Sequence, residues 1–283
     1  MYKKYELLQN DKIEYNGKIL YRIKALKSFY DVEKGDLGGY IEHEGNLSHE
    51  GLCWVYDSAR IYDNAKVYEN AKVYESAKVF ENSIIRSNAR VYGNAIIQGE
   101  AKIYGNARIY DNVKVKDNVR IYDKAEVYEN AKILDTAMIC GFSKVHGNSV
   151  IYGNSAIHGN AQVYGNAEVY GNAHVYGNAH VYNDAQIHCY ADIYGSAIIK
   201  QGIIIGQVSM AYKDIFQHQC QHSILTAILT EDNKILYSTY YYKNITKENF
   251  IRAIFNTNGG LEKNPHRAEY LKLITAIEIY FNS

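Results

Sequence analysis

A six-residue repeat fills the middle of the chain and limits its fold more than any other feature. From Val55 to Ile205 every sixth residue is Val or Ile, which makes 26 positions without an insertion. Four residues after most of them stands a small residue, usually alanine, as at Ala59. A polar pair such as Gly93-Asn94 lies between the two. The period is too regular to arise from unrelated segments and must be explained by one structural unit.

Such a unit is a short strand followed by a turn. The β-branched residue points inward, its neighbours point outward by strand alternation, and the small residue fits inside the corner. Gly and Asn reach positive φ at the lowest cost, so the polar pair predicts the corner itself. A helix is excluded because a period of six drifts against 3.6, and antiparallel hairpins need longer strands. The pattern therefore predicts a parallel solenoid whose equivalent residues stack about 4.8 Å apart.

The motif Val-Tyr-Gly-Asn-Ala resembles the hexapeptide repeat of left-handed parallel β-helices, in which three hexads form one triangular coil. The resemblance covers residues 55 to 205. It implies an all-β solenoid, a left-handed parallel β-helix of about nine coils. We divide the chain into an N-terminal β cap over residues 1–54, the β-helix over 55–206 and a small α+β domain over 207–283.

The sequence patterns of the two flanking regions predict their secondary structure. The cap contains a predicted hairpin around the turn Asn16-Gly17. The C-terminal region reads as two strands and two helices, a ββαα module with strands near 222–230 and 235–242 and helices near 246–255 and 265–281. Pro265, the only proline of the chain, stands at the start of the second helix.

The cap also resembles known proteins through its Gly-Asp-Leu-Gly-Gly segment, residues 35–39. Similar caps occur in hexapeptide-repeat proteins of phages and prophages and in a bacterial relative described as an acyltransferase. The C-terminal module is similar to the tail of the same phage-type proteins. The resemblance implies a phage or prophage origin.

The residue after each inward position is usually tyrosine, and positions 18 apart share one face of the triangle. One face is aromatic throughout, whereas the other two are interrupted. Two hypotheses follow: the rings stabilise the sheet as a ladder, or they form a contact surface for a partner. The candidate contact residues are Tyr56, Tyr74, Tyr92, Tyr110, Tyr128, His146, Tyr164 and Tyr182 of this face, with Tyr176 and Tyr194 of the third face.

Charge is balanced over the whole chain and alternates within it. The 31 Lys and Arg match 31 Asp and Glu, and nucleic-acid binding is not expected because it rests on excess basic charge. Basic residues before the inward position and acidic residues at the corner predict mutually paired rows on a solvated surface. From residue 145 to 206 the only basic residue is Lys200, so this neutral half is favoured for contact with a partner.

Catalysis receives little support from the repeat. Hexapeptide-repeat acyltransferases depend on a loop that leaves the solenoid, and 26 hexads without an insertion leave no such loop. No motif places an acid beside the outward histidines, so we assign no catalytic residue. The histidines in question are His146, His158, His174, His180 and His188.

Metal and cofactor sites are also not predicted. His218, Cys220 and His222 would share one side of a strand, but three donors along a straight strand stand too far apart to meet at one ion. No phosphate-binding glycine loop is present, since every glycine is explained by a corner. We therefore expect neither a metal nor a cofactor.

The chain lacks an apolar run of 18 residues and an apolar leader, so we expect a cytoplasmic protein without membrane contact. Its cysteines, Cys53, Cys140, Cys189 and Cys220, have no paired spacing, which fits a reducing compartment.

Two functional hypotheses remain. The first is a non-catalytic binding or scaffold protein, a homotrimer as the family implies. It would use its Tyr-rich faces and its C-terminal domain to hold a host protein or a small signalling ligand. By analogy with phage proteins it would be a counter-defence inhibitor, such as an anti-CRISPR protein or a sponge for a signal molecule. The alternative is an acyltransferase that uses acyl-CoA.

Overall fold

The repeat forms a parallel β-solenoid with three flat sheets. The computed structural model describes residues 3–200, 203–204, 207–208, 214–220, 223–229, 235–238, 245–256 and 267–282. Within these residues two sheets have nine strands and the third has twelve, three of them from the N-terminal cap. The predicted solenoid of about nine coils is confirmed, and its left hand stays a prediction from the resemblance.

The N-terminal hairpin closes the front end of the solenoid. Strands β1 (Tyr5–Tyr15) and β2 (Lys18–Ala25) are antiparallel and meet at Asn16-Gly17, as predicted. Strand β3 (Leu37–Ile41) pairs antiparallel with β2 and parallel with the first coil, so that one sheet of the solenoid begins in the cap. A 3-10 helix, Glu44–Asn46, follows. The front edge that this sheet would otherwise expose is thus covered.

The coils consist of two-residue strands, each with one outward and one inward residue. Strands β4 to β30 are, in chain order, Trp54–Val55, Arg60–Ile61, Lys66–Val67, Lys72–Val73, Lys78–Val79, Ile84–Ile85, Arg90–Val91, Ile96–Ile97, Lys102–Ile103, Arg108–Ile109, Lys114–Val115, Arg120–Ile121, Glu126–Val127, Lys132–Ile133, Met138–Ile139, Lys144–Val145, Val150–Ile151, Ala156–Ile157, Gln162–Val163, Glu168–Val169, His174–Val175, His180–Val181, Gln186–Ile187, Asp192–Ile193, Ile198–Ile199, Ile203–Ile204 and Gln207–Val208.

Every third strand belongs to the same sheet, so residues 18 apart are neighbours. Arg90, for example, pairs with Lys72 of the coil before and Arg108 of the coil after. We call the outer side of the sheet that starts at β4 face 1. Face 2 belongs to the sheet of β5, which continues into the cap, and face 3 to the sheet of β6. The triangular coil of three hexads is therefore as predicted.

The interior is a column of branched aliphatic side chains separated by small ones. The inward Val and Ile residues from Val55 to Ile199 are at most 1% exposed, and the alanines of the corners are fully buried. Where serine replaces alanine, its hydroxyl donates to the carbonyl three residues earlier, as from Ser143 to Cys140 at 2.7 Å. Each buried branched side chain contributes about 1.5–3 kcal/mol, which makes this column the main source of stability.

The repeat loses its phase in the last coil. The sequence predicts Ile205 as the final inward residue, but the structure pairs Ile204 with Ile187 and buries it fully. From Ile199 to Ile204 the chain takes five steps instead of six, and this shortened hexad moves the inward position by one residue. Ile205 itself lies outside the described residues.

The corners differ from their predicted conformation in one respect. Positive φ falls on the first residue of the polar pair, as at Gly93 (70°), Asp63 (54°) and Glu69 (59°), and the asparagine after each of them is not left-handed. Asparagines of successive coils instead donate to one another, as from Asn94 to Asn112 at 3.2 Å. Gly therefore supplies the turn where it occurs, whereas Asn supplies a ladder of side-chain amides along the edge.

The C-terminal region contains more strands than predicted. Strands β31 (Asp214–Cys220), β32 (Ser223–Leu229), β33 (Ile235–Ser238) and β34 (Ile245–Thr246) form one antiparallel sheet. Helices α1 (Lys247–Asn256) and α2 (Arg267–Asn282) follow. Ala227, Tyr237, Phe250, Ile274 and Ile277 form a small separate core of sheet and helices. Strands β31 and β34 are additions to the predicted module.

Candidate functional site

Face 1 carries a column of eight aromatic rings, one for each coil. Six of the seven neighbouring pairs are stacked nearly parallel, with ring centroids 4.5 to 5.1 Å apart. The rings are those of Tyr56, Tyr74, Tyr92, Tyr110, Tyr128, His146, Tyr164 and Tyr182. The sequence-predicted residues of this face are thus brought together in the predicted order.

The column has a single break, between the second and the third ring. Tyr74 and Tyr92 stand perpendicular, with their centroids 6.3 Å apart. A cavity of about 310 Å³ opens there, lined by both rings and by Arg90, Arg108 and the carboxylates of Asp57 and Glu75. The break is therefore an indentation in an otherwise closed aromatic surface.

The ladder rings are half-buried. Burial raises the pKa of Tyr110 to about 12, with Glu126 as a lesser cause. Among the side chains that the structure describes, none accepts a hydrogen bond from the hydroxyls of Tyr92, Tyr110 and Tyr128. Stacking therefore uses the faces of the rings and leaves a row of hydroxyls free to bond outside the molecule.

Faces 2 and 3 carry shorter ladders. On face 3, Tyr176 stacks between His158 and Tyr194 at 4.8 and 5.2 Å, so the two predicted residues of this face are neighbours. They lie on a different side of the triangle from the face 1 ladder and do not form one site with it. On face 2 the stacked groups are separated by three coils without aromatic rings, those of Gln98, Lys116 and Leu134.

The charged rows do not pair with one another as the sequence analysis predicts. The acidic corner residues turn along the solenoid axis and accept hydrogen bonds from backbone N–H groups one coil further on. Asp57 accepts from Glu75 at 3.0 Å, and Glu75 in turn accepts from Gly93 at 2.9 Å. The left-handed backbone of these residues aims their side chains at the next coil, and basic residues such as Arg90 are left facing solvent.

One ionic cluster ties the cap to the first ladder ring. The Asp31 carboxylate accepts from the buried Lys72 ammonium at 2.8 Å and from the Tyr56 hydroxyl at 2.7 Å. Burial would raise the pKa of Asp31, but the hydrogen bonds from Lys72 and Tyr56 outweigh it and lower the pKa. The Tyr30 ring, on a residue with φ of 48°, lies 3.8 Å from the Lys72 ammonium. Sequence reasoning missed this cluster because Asp31 lies outside the repeat.

A second cavity lies at the corner between faces 3 and 1 and has a volume of about 440 Å³. Its lining residues are Asn106, Arg108, Lys124, Glu126, Phe142 and Lys144. Phe142 is 57% exposed, although the repeat usually has asparagine at its position. Sequence reasoning missed this place, and the signal that marks it is the departure of two successive coils from the repeat.

The histidines lie on the outer surface, as expected, but two have acidic neighbours that the sequence motif did not reveal. The Nδ1 atom of His146 is 3.6 Å from Glu129, and that of His174 is 3.9 Å from Asp192. These contacts correct the expectation that no acid stands beside them. His146 is nevertheless held between two tyrosine rings as part of the ladder.

The described residues contain no group of three or more His, Cys, Asp or Glu arranged to hold a metal ion. His222 of the rejected zinc hypothesis lies outside these residues, as do the side chains of His218 and Cys220. In the same part of the chain, neither helix has both the length and the apolar composition that a membrane span requires.

The fold and its outer surface define the class of this protein, a parallel β-solenoid repeat protein with one aromatic face. Within that class, residues 161–177 match a family model described as the YdcK beta solenoid repeat. The match spans about one coil and agrees with the solenoid seen there. No curated protein matches the chain.

Proposed function

We propose that the protein is a non-catalytic binding scaffold that holds a protein partner on face 1. The observation that supports this most is the row of tyrosine hydroxyls on face 1. Tyr92, Tyr110 and Tyr128 place amphipathic rings about one coil apart, and their hydroxyls have no acceptor among the described side chains. Rigid tyrosines that offer apolar area and a free hydroxyl together are enriched at protein interfaces.

The rest of the face fits the same proposal. The ladder is already ordered by stacking, so a partner would bind it without a large loss of side-chain entropy. Face 1 is more than thirty ångströms long, since its eight rings follow the solenoid axis at about the strand spacing of 4.8 Å. The partner is a second copy of the chain, as in the trimer that the resemblance implies, or a host protein in the manner of a phage counter-defence inhibitor.

Replacing the hydroxyls alone tests the proposal without removing the ladder. In the variant Tyr92→Phe/Tyr110→Phe/Tyr128→Phe the rings still stack, so the fold should be unchanged while capture of the partner from host extract falls at least about tenfold. The matched control is Tyr152→Phe/Tyr170→Phe on face 2, whose rings also stack, at 4.7 Å. Equal capture by both variants and the native chain would contradict the proposal.

Light scattering separates the two kinds of partner. Three chains per particle, reduced to one by the face 1 variant, would support self-assembly through this face. A particle of one chain would leave face 1 available for a host protein. A trimer that the face 1 variant does not disturb would assign self-assembly to another surface.

The acyltransferase alternative is favoured by the acids beside two histidines, of which the nearer is Glu129, 3.6 Å from His146. A carboxylate can orient a histidine as a general base. The test is release of CoA from acetyl-CoA by the native chain and by His146→Gln, and turnover that the variant loses would favour this function. Without such turnover, His146 has only its stacking role between Tyr128 and Tyr164.

A further inference from the structure

The edge of the solenoid between faces 3 and 1 is interrupted at two successive coils. The second corner residues along this edge are Asn70, Asn88, Asn106, Lys124, Phe142, Asn160 and Asn178. The asparagines on either side form rungs, from Asn70 to Asn88 at 3.2 Å and from Asn160 to Asn178 at 3.0 Å. The chain thus lacks the asparagine rungs at these two coils and exposes a phenyl ring, whose one described partner is the Lys124 ammonium.

Lys124 and Phe142 lie across the corner from outward strand residues of face 1. Three coils supply three rows, Asn106 with Arg108, Lys124 with Glu126, and Phe142 with Lys144. Rows are about 4.8 Å apart, the spacing of parallel strands. Together the six residues line the cavity of about 440 Å³, a size within the range of small-ligand sites.

The cavity has an excess of positive charge. Glu126 is shared by Arg108 at 3.5 Å and Lys144 at 3.6 Å, and so it cannot neutralise both cations. The Lys124 ammonium lies 4.8 Å from the centroid of the Phe142 ring, and no carboxylate of the described residues pairs with it. The carboxylate of the adjacent Asp123 instead accepts from the backbone N–H of Gly141 at 3.2 Å. Three cations therefore surround one acid.

We propose that this cavity is a binding site for a small organic anion that carries a flat ring, of the class of aryl or nucleoside phosphates. The guanidinium of Arg108 and the ammonium groups of Lys124 and Lys144 would hold the phosphate oxygens. The exposed Phe142 ring would pack against the flat ring of the ligand. The cavity lies beside the aromatic ladder and not within it, so this inference goes beyond the proposed partner binding and does not depend on it.

The experiment is a calorimetric titration of the full chain with three probes: AMP, adenosine and inorganic phosphate. We expect AMP to saturate one site per chain with a Kd of about 1 mM or lower. Adenosine and inorganic phosphate, the two parts of AMP, should each bind at least about tenfold more weakly. Added salt should weaken AMP binding, because the phosphate contacts are ionic. Absence of saturable AMP binding would overturn the proposal, and inorganic phosphate that binds as tightly as AMP would overturn the role of Phe142.

The double variant Lys124→Asn/Phe142→Asn makes the test specific for the site. It restores the asparagine rungs, so we expect it to fold at least as well as the native chain and to bind AMP at least about tenfold more weakly. Lys116→Asn, which removes an exposed lysine from face 2, is the matched control and should leave AMP binding unchanged. Equal AMP affinity in the double variant and the native chain would place the binding elsewhere and overturn the proposal.

Discussion

The carboxylate of Glu75 accepts a hydrogen bond from the backbone N–H of Gly93, one coil further along the solenoid, at 2.9 Å. Glu75 has a φ of 55°, a conformation that an L-residue adopts only at a cost. The same arrangement recurs at Glu81 and Gly99, at 2.7 Å. Acidic corners thus combine an unfavourable backbone conformation with a favourable bond between coils.

This arrangement makes a prediction for the stability of variants at Glu75. Glu75→Gln keeps an acceptor, whereas Glu75→Ala loses it and should lower the free energy of unfolding by about 0.5–1.5 kcal/mol relative to Gln. Glu75→Gly also loses the acceptor but has no Cβ to strain, and so it should be more stable than Ala by about 1–2 kcal/mol. Denaturant unfolding measures all three variants. Equal stability of the Ala and Gly variants would show that the left-handed corner costs nothing here.

Variants of Tyr110 measure how much ring stacking in the ladder contributes to the free energy of unfolding. Its ring stacks on Tyr92 at 4.8 Å and on Tyr128 at 5.1 Å. Tyr110→Leu removes two aromatic pairs and should lower the free energy of unfolding by about 1–3 kcal/mol. Tyr110→Phe keeps both pairs and should change it by less than about 0.5 kcal/mol, since the hydroxyl has no acceptor among the described side chains. A Phe variant as unstable as the Leu variant would mean that the hydroxyl, not the stack, stabilises the sheet.

Alkaline pH should weaken the ladder in a defined window. Because burial raises the pKa of Tyr110 to about 12 in the folded chain, its contribution to stability is complete below the unfolded pKa of about 10. The contribution is lost as the pH rises from about 10 to about 12, where the unfolded chain releases the proton first. Unfolding midpoints across this window should fall less steeply for Tyr110→Phe than for the native chain. Parallel slopes would contradict the assigned pKa direction.

Acid should loosen the contact between the cap and the first coils. The pKa of Asp31 is lowered in the folded chain, so its contribution to stability is complete above the unfolded pKa of about 4 and is lost as the pH falls through the folded pKa. Asp31→Asn should therefore be less stable than the native chain at neutral pH, and the difference should shrink at about pH 3. Unfolding curves at both pH values measure it. A difference that does not change with pH would argue against the ion pair with Lys72.

Much of the fold could be predicted because the repeat determines it locally. A branched residue such as Val91 every six positions admits only an inward column, and the 18-residue coil then fixes which outer residues are neighbours. The face 1 ladder follows from this register alone. Ile204 was not predicted because residues 203 to 205 are all isoleucine, so the sequence does not show that the inward position has moved by one residue.

The remaining parts of the site depend on relations that the repeat does not contain. Asp31 reaches Lys72 across 41 positions through the cap, which no periodicity reveals. The direction of the Glu75 side chain follows from its left-handed φ and not from strand alternation. Phe142 was visible as an exception to the repeat, but only the fold shows that it shares a cavity with Arg108 and Lys144.

Photo-crosslinking from face 1 tests the central claim most directly, namely that this face is the contact surface. Gln162 on face 1 and Gln186 on face 2 are both half-buried, and each precedes an inward residue in its strand. A photoreactive residue should therefore have the same strand position and a similar exposure at either site. In cells that naturally produce the protein we expect a discrete crosslinked product from position 162 and at most about a tenth as much from position 186. Equal yields from the two positions, or a product from position 186 alone, would contradict the assignment of face 1.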